Sequence, residues 1–101
     1  MIYHVTTLAS WEQAKVLGYY EAPSLHTEGF IHLSQAHQVA GVLLRYYKGM
    51  KELVLLHVEE GLLDAPLKYE HSPSVGESFP HVFGRINLSA ITKTETLPDQ
   101  I

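Results

Sequence analysis

The stretch Glu52-Leu53-Val54-Leu55-Leu56-His57-Val58 decides how this chain folds. Its Leu and Val residues follow one another without the polar alternation that a half-exposed strand shows. A run of this kind is typical of a strand that is covered on both faces, so we expect it at the centre of a sheet. His57 falls near the end of this strand, and the other elements are predicted around it.

The clearest helical pattern in the sequence comes just before this strand. Its apolar residues recur at the spacing of one helix face, and they are Ala36, Val39, Ala40, Leu43 and Tyr47. The pattern predicts an amphipathic helix with one buried stripe. Ser34 stands where this helix should begin and is a favoured N-cap residue. Gly49 is expected to mark its end.

An earlier helix is indicated by Ser10-Trp11-Glu12-Gln13, which matches a capping box with Ser10 as the N-cap. Trp11, Ala14 and Leu17 follow at helical spacing, so the Trp side chain is expected in the core. Gly18 is expected to stop this helix, because it readily adopts the left-handed conformation.

The other segments read as strands and loops. Strands are predicted at Ile2–Val5, Phe30–Leu33, Leu67–Glu70, Phe79–Arg85 and, as one or two strands, Ile86–Leu97. Residues 19–28 are expected to form a loop, and the polar segment 71–78 a mobile flap. The predicted class is therefore α+β, with two helices in the N-terminal half packed on a mostly antiparallel or split β-sheet.

Length and composition predict one domain over residues 1–101. The chain is 46% hydrophobic and 18% charged, which suits one core and is too short for two. No apolar stretch approaches the roughly 18 to 20 residues of a membrane span, and the start lacks signal-peptide features. We therefore expect a cytoplasmic protein with no membrane partner. It has no cysteine, so any nucleophile must be oxygen or nitrogen.

The net charge of −4 argues against a broad nucleic-acid surface, because such a surface needs clustered Lys and Arg residues. The seven basic residues are scattered along the chain. A small anionic ligand is still compatible with this balance, since a few amide donors and one Arg or Lys can hold a pyrophosphate.

Two segments of the sequence read almost alike, Ile2-Tyr3-His4-Val5-Thr6 and Phe30-Ile31-His32-Leu33-Ser34. On a strand, residues two apart share a face, so each segment would present an imidazole and a hydroxyl together. The four groups would converge if the two strands are neighbours. A plainer interpretation is that each histidine only satisfies a hydrogen bond within the fold.

Later in the chain, His81 lies between Phe79 and Phe83 on one side of a predicted strand. The histidines of this sequence leave two chemical alternatives open. His4, His32 and His81 would supply three ligands to zinc if three strands brought them together, although no local ligand pair is present. The two H-x-[TS] motifs also match two-histidine phosphoesterases, which however have a duplicated two-lobed fold and a longer chain.

Several ordered motifs of this sequence resemble the bacterial domain-of-unknown-function 952 family. They are Ile2-Tyr3-His4-Val5-Thr6, Trp11, Tyr20-x-x-Pro23-Ser24-Leu25, Glu28-Gly29-Phe30-Ile31-His32-Leu33-Ser34 and Phe79-Pro80-His81-Val82-Phe83-Gly84. The family has no settled activity and is grouped by fold resemblance with the ADP-ribosyltransferases, which use NAD. The resemblance therefore implies an ADP-ribosyltransferase-like fold that takes NAD as ligand or substrate.

Within that group, an element similar to His4-Val5-Thr6 contacts the adenosine ribose, and one similar to Gly29–Ser34 lines the nicotinamide end. The chemistry would be heterolysis of the nicotinamide glycosidic bond, which a carboxylate assists. Glu70, ahead of Glu77, is the candidate for that carboxylate. The resemblance implies no metal, NAD-binding roles for five residues and catalytic roles for three: His4, Thr6, Tyr20, Ser24 and Ser34; His32, His81 and Glu70.

The sequence leaves two further interpretations of the function open. If no carboxylate reaches the ribose, the domain would bind NAD or ADP-ribose without transfer, or use histidines as the tRNA 2′-phosphotransferase branch does with Arg and His. A rival of another class is a non-enzymatic interaction module whose histidines only join strands. Replacing His4 or His32 distinguishes them, because ligand binding is lost in the first case and stability in the second.

Overall fold

The computed structural model describes residues 1–101 and builds them into eight strands and three α-helices. The strands are β1 (Ile2–Thr7), β2 (Tyr19–Tyr20), β3 (Ile31–His32), β4 (Leu53–Val58), β5 (Leu67–Ser72), β6 (Glu77–Val82), β7 (Ile86–Asn87) and β8 (Ile91–Thr96). The helices are α1 (Leu8–Leu17), α2 (Pro23–Thr27) and α3 (Val39–Tyr46), and 3₁₀ turns cover Ala36–Gln38, Glu60–Leu62 and Leu88–Ala90. All strand pairs are antiparallel, which confirms the predicted α+β class.

Strand β4 is the centre of the sheet β1-β4-β8, as its apolar run predicts. Of its six residues only His57 is not buried. Leu56 and its same-face neighbours belong to a core cluster of 12 residues, whereas Leu53 and Leu55 pack on the opposite side with residues of α3. Both faces of β4 are thus covered, which is why the sequence of this strand shows no alternation.

The remaining strands form two further sheets, so the predicted split sheet is confirmed. One sheet has the order β3-β6-β5, and the other is the two-stranded ladder of β2 and β7. A single antiparallel bridge between Tyr3 and Ser34 joins the end of β3 to β1. The sheet β3-β6-β5 buries Ile31, Val82 and Pro80 in the core and presents its other face outward.

Three α-helices are present where we predicted two, because α2 lies in the segment 19–28 that we predicted as a loop. Pro23 occupies its first turn, a position that suits the fixed backbone angle of proline. The helix has five residues and none of them is buried. It therefore leaves no apolar stripe in the sequence, and a pattern search overlooks it.

The predicted N-cap of α1 is wrong. Thr7, not Ser10, caps this helix, and its side-chain oxygen accepts a hydrogen bond from the Ser10 amide at 3.1 Å. The predicted end is confirmed, because Gly18 has a φ of +88° and its amide donates to the Ala14 carbonyl at 2.8 Å. Strand β1 simply continues to the residue that caps the helix.

The predicted helix α3 is confirmed, but of its predicted stripe only Val39, Leu43 and Tyr47 pack on the core, whereas Ala36 and Ala40 are exposed. The helix also starts differently from the prediction. A 3₁₀ turn precedes it, and Gln35 and Gln38 form a reciprocal capping box there. Ser34 is therefore not the N-cap, since its backbone pairs with Tyr3 of β1. Val39 packs against a second cluster of buried residues, which consists of Val5, Leu53 and Leu55. None of the three α-helices has both the length and the hydropathy that crossing a bilayer requires.

The segment 71–78, predicted as a mobile flap, is the tip of a regular hairpin. Strands β5 and β6 pair in continuous register from Leu67↔Val82 to Ser72↔Glu77. The turn is closed by the Gly76 amide, which donates to the Ser72 carbonyl at 2.8 Å, and Gly76 has a φ of +77°. The Pro and Gly residues of this segment serve a tight turn and not a long loop.

Candidate functional site

A cleft of about 600 Å³ opens at the split between β1 and β3. The two strands are joined through Tyr3 and Ser34, which exchange backbone hydrogen bonds of 2.8 and 2.7 Å. In an antiparallel ladder the next hydrogen-bonded pair would be Val5 and His32, but the Tyr3–Ser34 bridge is isolated and no such pair forms, although the other edge of β3 pairs with β6. The gap left by this missing pair is the cleft.

Two side chains replace the missing ladder hydrogen bonds. The imidazole Nδ1 of His4 lies 2.7 Å from the carbonyl oxygen of His32, and the hydroxyl of Tyr47 donates to the carbonyl of Val5 at 3.2 Å. The backbone of Tyr3 faces β3, so by strand alternation the amide of Val5 faces the same side. The floor of the cleft therefore offers a backbone N–H donor beside the His4 ring.

The His4 imidazole is held in a buried polar network. Its Nε2 lies 2.8 Å from the hydroxyl oxygen of Tyr20, which in turn lies 2.9 Å from the hydroxyl oxygen of Thr6. Burial lowers the pKa of His4 from 6.5 to about 4, so the ring is neutral at pH 7. His4 and Thr6 share one face of β1, as the spacing of the motif predicts.

The neutral state of His4 fixes the direction of these hydrogen bonds. The His32 carbonyl can only accept, so the ring hydrogen must be on Nδ1 of His4. Nε2 is then an acceptor, which receives the hydrogen of Tyr20, and Thr6 donates to Tyr20. The opposite direction, with Tyr20 donating to Thr6, requires a protonated His4. Protonation of His4 would thus reverse the two hydrogen bonds of the Tyr20 hydroxyl and leave the bond from Nδ1 to the His32 carbonyl unchanged.

Tyr20 stays protonated in the same network. Burial raises its pKa to about 12, so its hydroxyl is not a nucleophile near neutral pH. The residue is 2% exposed and belongs to the main core cluster. Its chemical contribution is to hold His4, and its hydrogen bonds join β2 to β1.

A second group of rings lies on the outer face of β3 and β6. His32 and His81 face one another across the two strands, with ring centres 5.0 Å apart. The Phe30 ring stacks on His81 with ring centres 4.2 Å apart and an interplanar angle of 19°. Together these rings form an aromatic platform at the mouth of the cleft, in which Phe30 and His81 are nearly parallel and His32 stands edge-on to His81 at 71°.

Each histidine of this platform is paired with a carboxylate. Nε2 of His32 lies 3.0 Å from Glu28, and Nδ1 of His81 lies 2.7 Å from Glu70. When Nδ1 of His81 donates to Glu70 and the ring is neutral, its Nε2 keeps a free lone pair. This is the arrangement of a general base that a carboxylate orients.

The structure brings five of the eight predicted site residues to the cleft wall. They are His4, Ser24, His32, Ser34 and His81. Thr6 and Tyr20 lie behind His4, and Glu70 lies behind His81, so these three act on the cleft only through a histidine. Glu77 contacts His37 and Gln38 away from the cleft.

Sequence reasoning missed several residues of the wall. Tyr47 lines the cleft and bonds to β1, although its place on the helical stripe indicates only a core role. His71 and Phe79 also line it from the hairpin of β5 and β6. Their contribution becomes visible only when the polar segment 71–78 is recognised as a hairpin that folds over the split.

The zinc alternative finds no support in the geometry. No group of three or more His, Asp or Glu side chains is arranged to hold a metal ion. Of the three candidate ligands, His4 has both ring nitrogens hydrogen-bonded within the protein. The same fact weighs against a two-histidine phosphoesterase, since that chemistry needs two free imidazoles and His4 offers none.

Comparisons with known proteins agree with the motif resemblance at the level of the family. The sequence profile described as "Protein of unknown function (DUF952)" matches residues 5–94. No protein of curated function matches the sequence. The crystal structure of protein CC0527 from Caulobacter crescentus is similar, with a TM-score of 0.87 and 35% identity over 95% of this chain and 84% of that chain.

The solution NMR structure of CC0527 is similar as well. Its TM-score is 0.82 at 35% identity, and the match covers 96% of this chain and 84% of that chain. Sequence profile and fold therefore point to the same group of proteins. The chain belongs to the DUF952 family.

Proposed function

We propose that the cleft binds a small nucleotide of the NAD or ADP-ribose type. The observation that carries the proposal is the cleft itself, whose volume of about 600 Å³ is that of a typical small-molecule site. It combines hydrogen-bonding groups with an aromatic wall, which suits a ligand made of ribose hydroxyls and flat bases. The family's grouping with the ADP-ribosyltransferases makes NAD the first ligand to test.

Different parts of the wall suit different parts of such a ligand. The hydroxyl of Ser34 and the amide of Val5 are hydrogen-bonding groups for a ribose or a phosphate oxygen. The Phe79 ring and the platform of His32 and His81 offer faces on which a base can stack. Ser24 is a less available group, because its hydroxyl already donates to the Phe30 carbonyl at 2.8 Å.

The proposal extends to group transfer through His81. In that step the bond between the ribose C1′ and the nicotinamide nitrogen breaks, and nicotinamide leaves with the electron pair. An acceptor oxygen or nitrogen bonds to C1′, and its proton passes to Nε2 of His81. Glu70 orients His81 as a positioning residue. This differs from the predicted role of Glu70, because its carboxylate contacts a ring and not the cleft.

Calorimetric titration with NAD and ADP-ribose tests binding. His81→Ala should weaken binding by about tenfold or more, since it removes part of the wall and its hydrogen-bonding nitrogen. His57→Ala is a matched control, because the His57 side chain is 14% exposed against 13% for His81 and also pairs with a glutamate, at 2.5 Å, but lies outside the cleft.

Two results would overturn the proposal. One is no binding of either nucleotide at millimolar concentration to the unaltered protein. The other is an equal loss of affinity in His57→Ala and His81→Ala, which would trace the effect to general stability. The first result would leave the interaction-module alternative ahead. An assay in which chromatography detects nicotinamide released from NAD tests the transfer step separately.

A further inference from the structure

The wall of the cleft has an unusual charge composition for a site that takes a phosphate-bearing ligand. None of its 16 residues is Lys, Arg, Asp or Glu. An Arg or Lys side chain with a few amide donors can hold a pyrophosphate, but neither residue type is in the wall. The groups of the wall that can carry a positive charge are its four histidines, His4, His32, His71 and His81.

One of these four histidines cannot supply the charge. His4 has both nitrogens engaged with groups of the protein, and its pKa is lowered to about 4 by burial. The other three lie at the mouth of the cleft. His32 comes from β3, His71 from β5 and His81 from β6. An imidazole exists either as a neutral ring or as a cation, so these rings can supply positive charge to the cleft.

The charged groups around these rings are mainly acidic. Glu28 lies 3.0 Å from His32, and Glu70 lies 2.7 Å from His81. The strand neighbour of His81 is Lys68, whose ammonium lies over the Phe83 ring at 5.3 Å. Glu77 is paired with His37 away from the cleft. With neutral imidazoles, the carboxylates of Glu28 and Glu70 outweigh the one ammonium, so the mouth carries a net negative charge that disfavours an anion.

We propose that the cleft binds its phosphate-bearing ligand together with protons, which are taken up by the histidines at its mouth. Protonation of His32 neutralises the Glu28 carboxylate beside it, and His32 and His71 then act as cationic donors for phosphate oxygens, while His81 stays neutral as the base. The inference rests on the proposed nucleotide site and adds to it that the pyrophosphate is recognised by imidazolium groups. Affinity then falls as pH rises.

Calorimetry with ADP-ribose measures this coupling directly. The pyrophosphate diester of ADP-ribose keeps its charge between about pH 5.5 and about pH 8, so a pH effect in this range comes from the protein. Each coupled proton changes the dissociation constant by up to about tenfold per pH unit. We expect binding at least about tenfold weaker at the higher pH. Titrations in buffers of different ionisation enthalpy should show proton uptake on binding.

Matched variants assign the effect to the mouth. The double substitution His32→Gln with His71→Gln should remove most of the pH dependence, whereas His26→Gln with His57→Gln should retain it. His26 and His57 also pair with carboxylates, but neither lines the cleft. Adenosine, which is uncharged in this range, should bind with an affinity that does not change with pH.

The outcomes separate this inference from the proposed function. ADP-ribose that binds equally well at both pH values, without proton uptake, overturns the inference and leaves the nucleotide site intact. The same holds if adenosine shows the same pH dependence as ADP-ribose. No binding at either pH overturns the proposed function, and the inference that rests on it falls as well.

Discussion

The two H-x-[TS] motifs look alike in the sequence, but their histidines have different roles in the structure. The first, around His4, is buried and closes a hydrogen-bond network between Tyr20, Thr6 and the His32 carbonyl. The second places the His32 ring on an outer face, half exposed and beside Glu28. The same three-residue pattern thus yields one histidine that joins strands and one that is free to meet a ligand. Burial, which the motif does not encode, decides between these roles.

The largest expected difference between the motifs is in stability. His4→Ala removes a buried ring and leaves Tyr20 and the His32 carbonyl without a partner, so we expect a loss of about 3 to 5 kcal/mol in the free energy of unfolding. His32→Ala removes an exposed side chain and should cost less than about 1 kcal/mol. Urea unfolding at pH 7 measures both. Equal losses would show that the two motifs are not distinguished by burial.

The next largest effect is on the pH dependence of stability. The pKa of His4 falls from 6.5 to about 4 on folding, so the unfolded chain binds the proton more readily between these values. The stabilisation that neutral His4 contributes is fully present above about pH 6.5. It is lost as the pH falls towards 4, which lowers the free energy of unfolding by up to about 3 kcal/mol. Unfolding free energies measured at several pH values should show this decline.

The variant His4→Gln isolates this contribution, because glutamine does not titrate. It should be less stable at pH 7 and should show a shallower decline towards pH 4 than the unaltered protein. Since His32 and the other histidines remain in this variant, the difference between the two curves belongs to His4. Parallel curves would contradict the lowered pKa of His4.

A smaller effect is expected from the hydroxyl behind His4. Tyr20→Phe keeps the ring but leaves Nε2 of His4 and the hydroxyl of Thr6 without their shared partner, which should cost about 1 to 2 kcal/mol. Tyr46→Phe is the control, because Tyr46 is 64% exposed and should change stability by less than about 0.5 kcal/mol. Thermal or urea unfolding compares them. No loss in Tyr20→Phe would argue against the network.

The smallest expected effect on stability is at the mouth of the cleft. Glu70→Gln should change the free energy of unfolding by less than about 0.5 kcal/mol, since its carboxylate is partly exposed. It should nevertheless slow the release of nicotinamide from NAD severalfold, because His81 loses the carboxylate that orients it. Glu95→Gln, which alters the matched pair with His57, should leave this rate unchanged. An assay of nicotinamide release on both variants decides the point.

The sequence predicts the parts of the fold that depend on apolar periodicity. The uninterrupted run of β4 and most of the helical stripe of α3 are both found in the structure, because burial of a strand or helix face leaves a regular pattern. The short elements β2 and α2 leave no such pattern. Five residues without a buried side chain satisfy their backbone locally, and nothing in the local sequence distinguishes them from a loop.

The candidate site was predictable only in part for a related reason. The spacing of His4 and Thr6 correctly indicates a shared face of β1. It does not indicate that Tyr20, 16 residues from His4 in the chain, fills the space between them. Tyr47 likewise reaches Val5 over 42 residues. Contacts over such separations follow from how the sheets split, and the split is a property of the assembled fold.

The measurement that tests the account most directly is long-range ¹H–¹⁵N correlation NMR of the histidine rings, recorded against pH with and without NAD. We predict that His4 stays neutral with its hydrogen on Nδ1 from about pH 8 to about pH 5 and moves little with NAD. His32 and His81 should shift on NAD addition. Titration of His4 within this range, or no shift of either of the other two rings with NAD, would contradict the account.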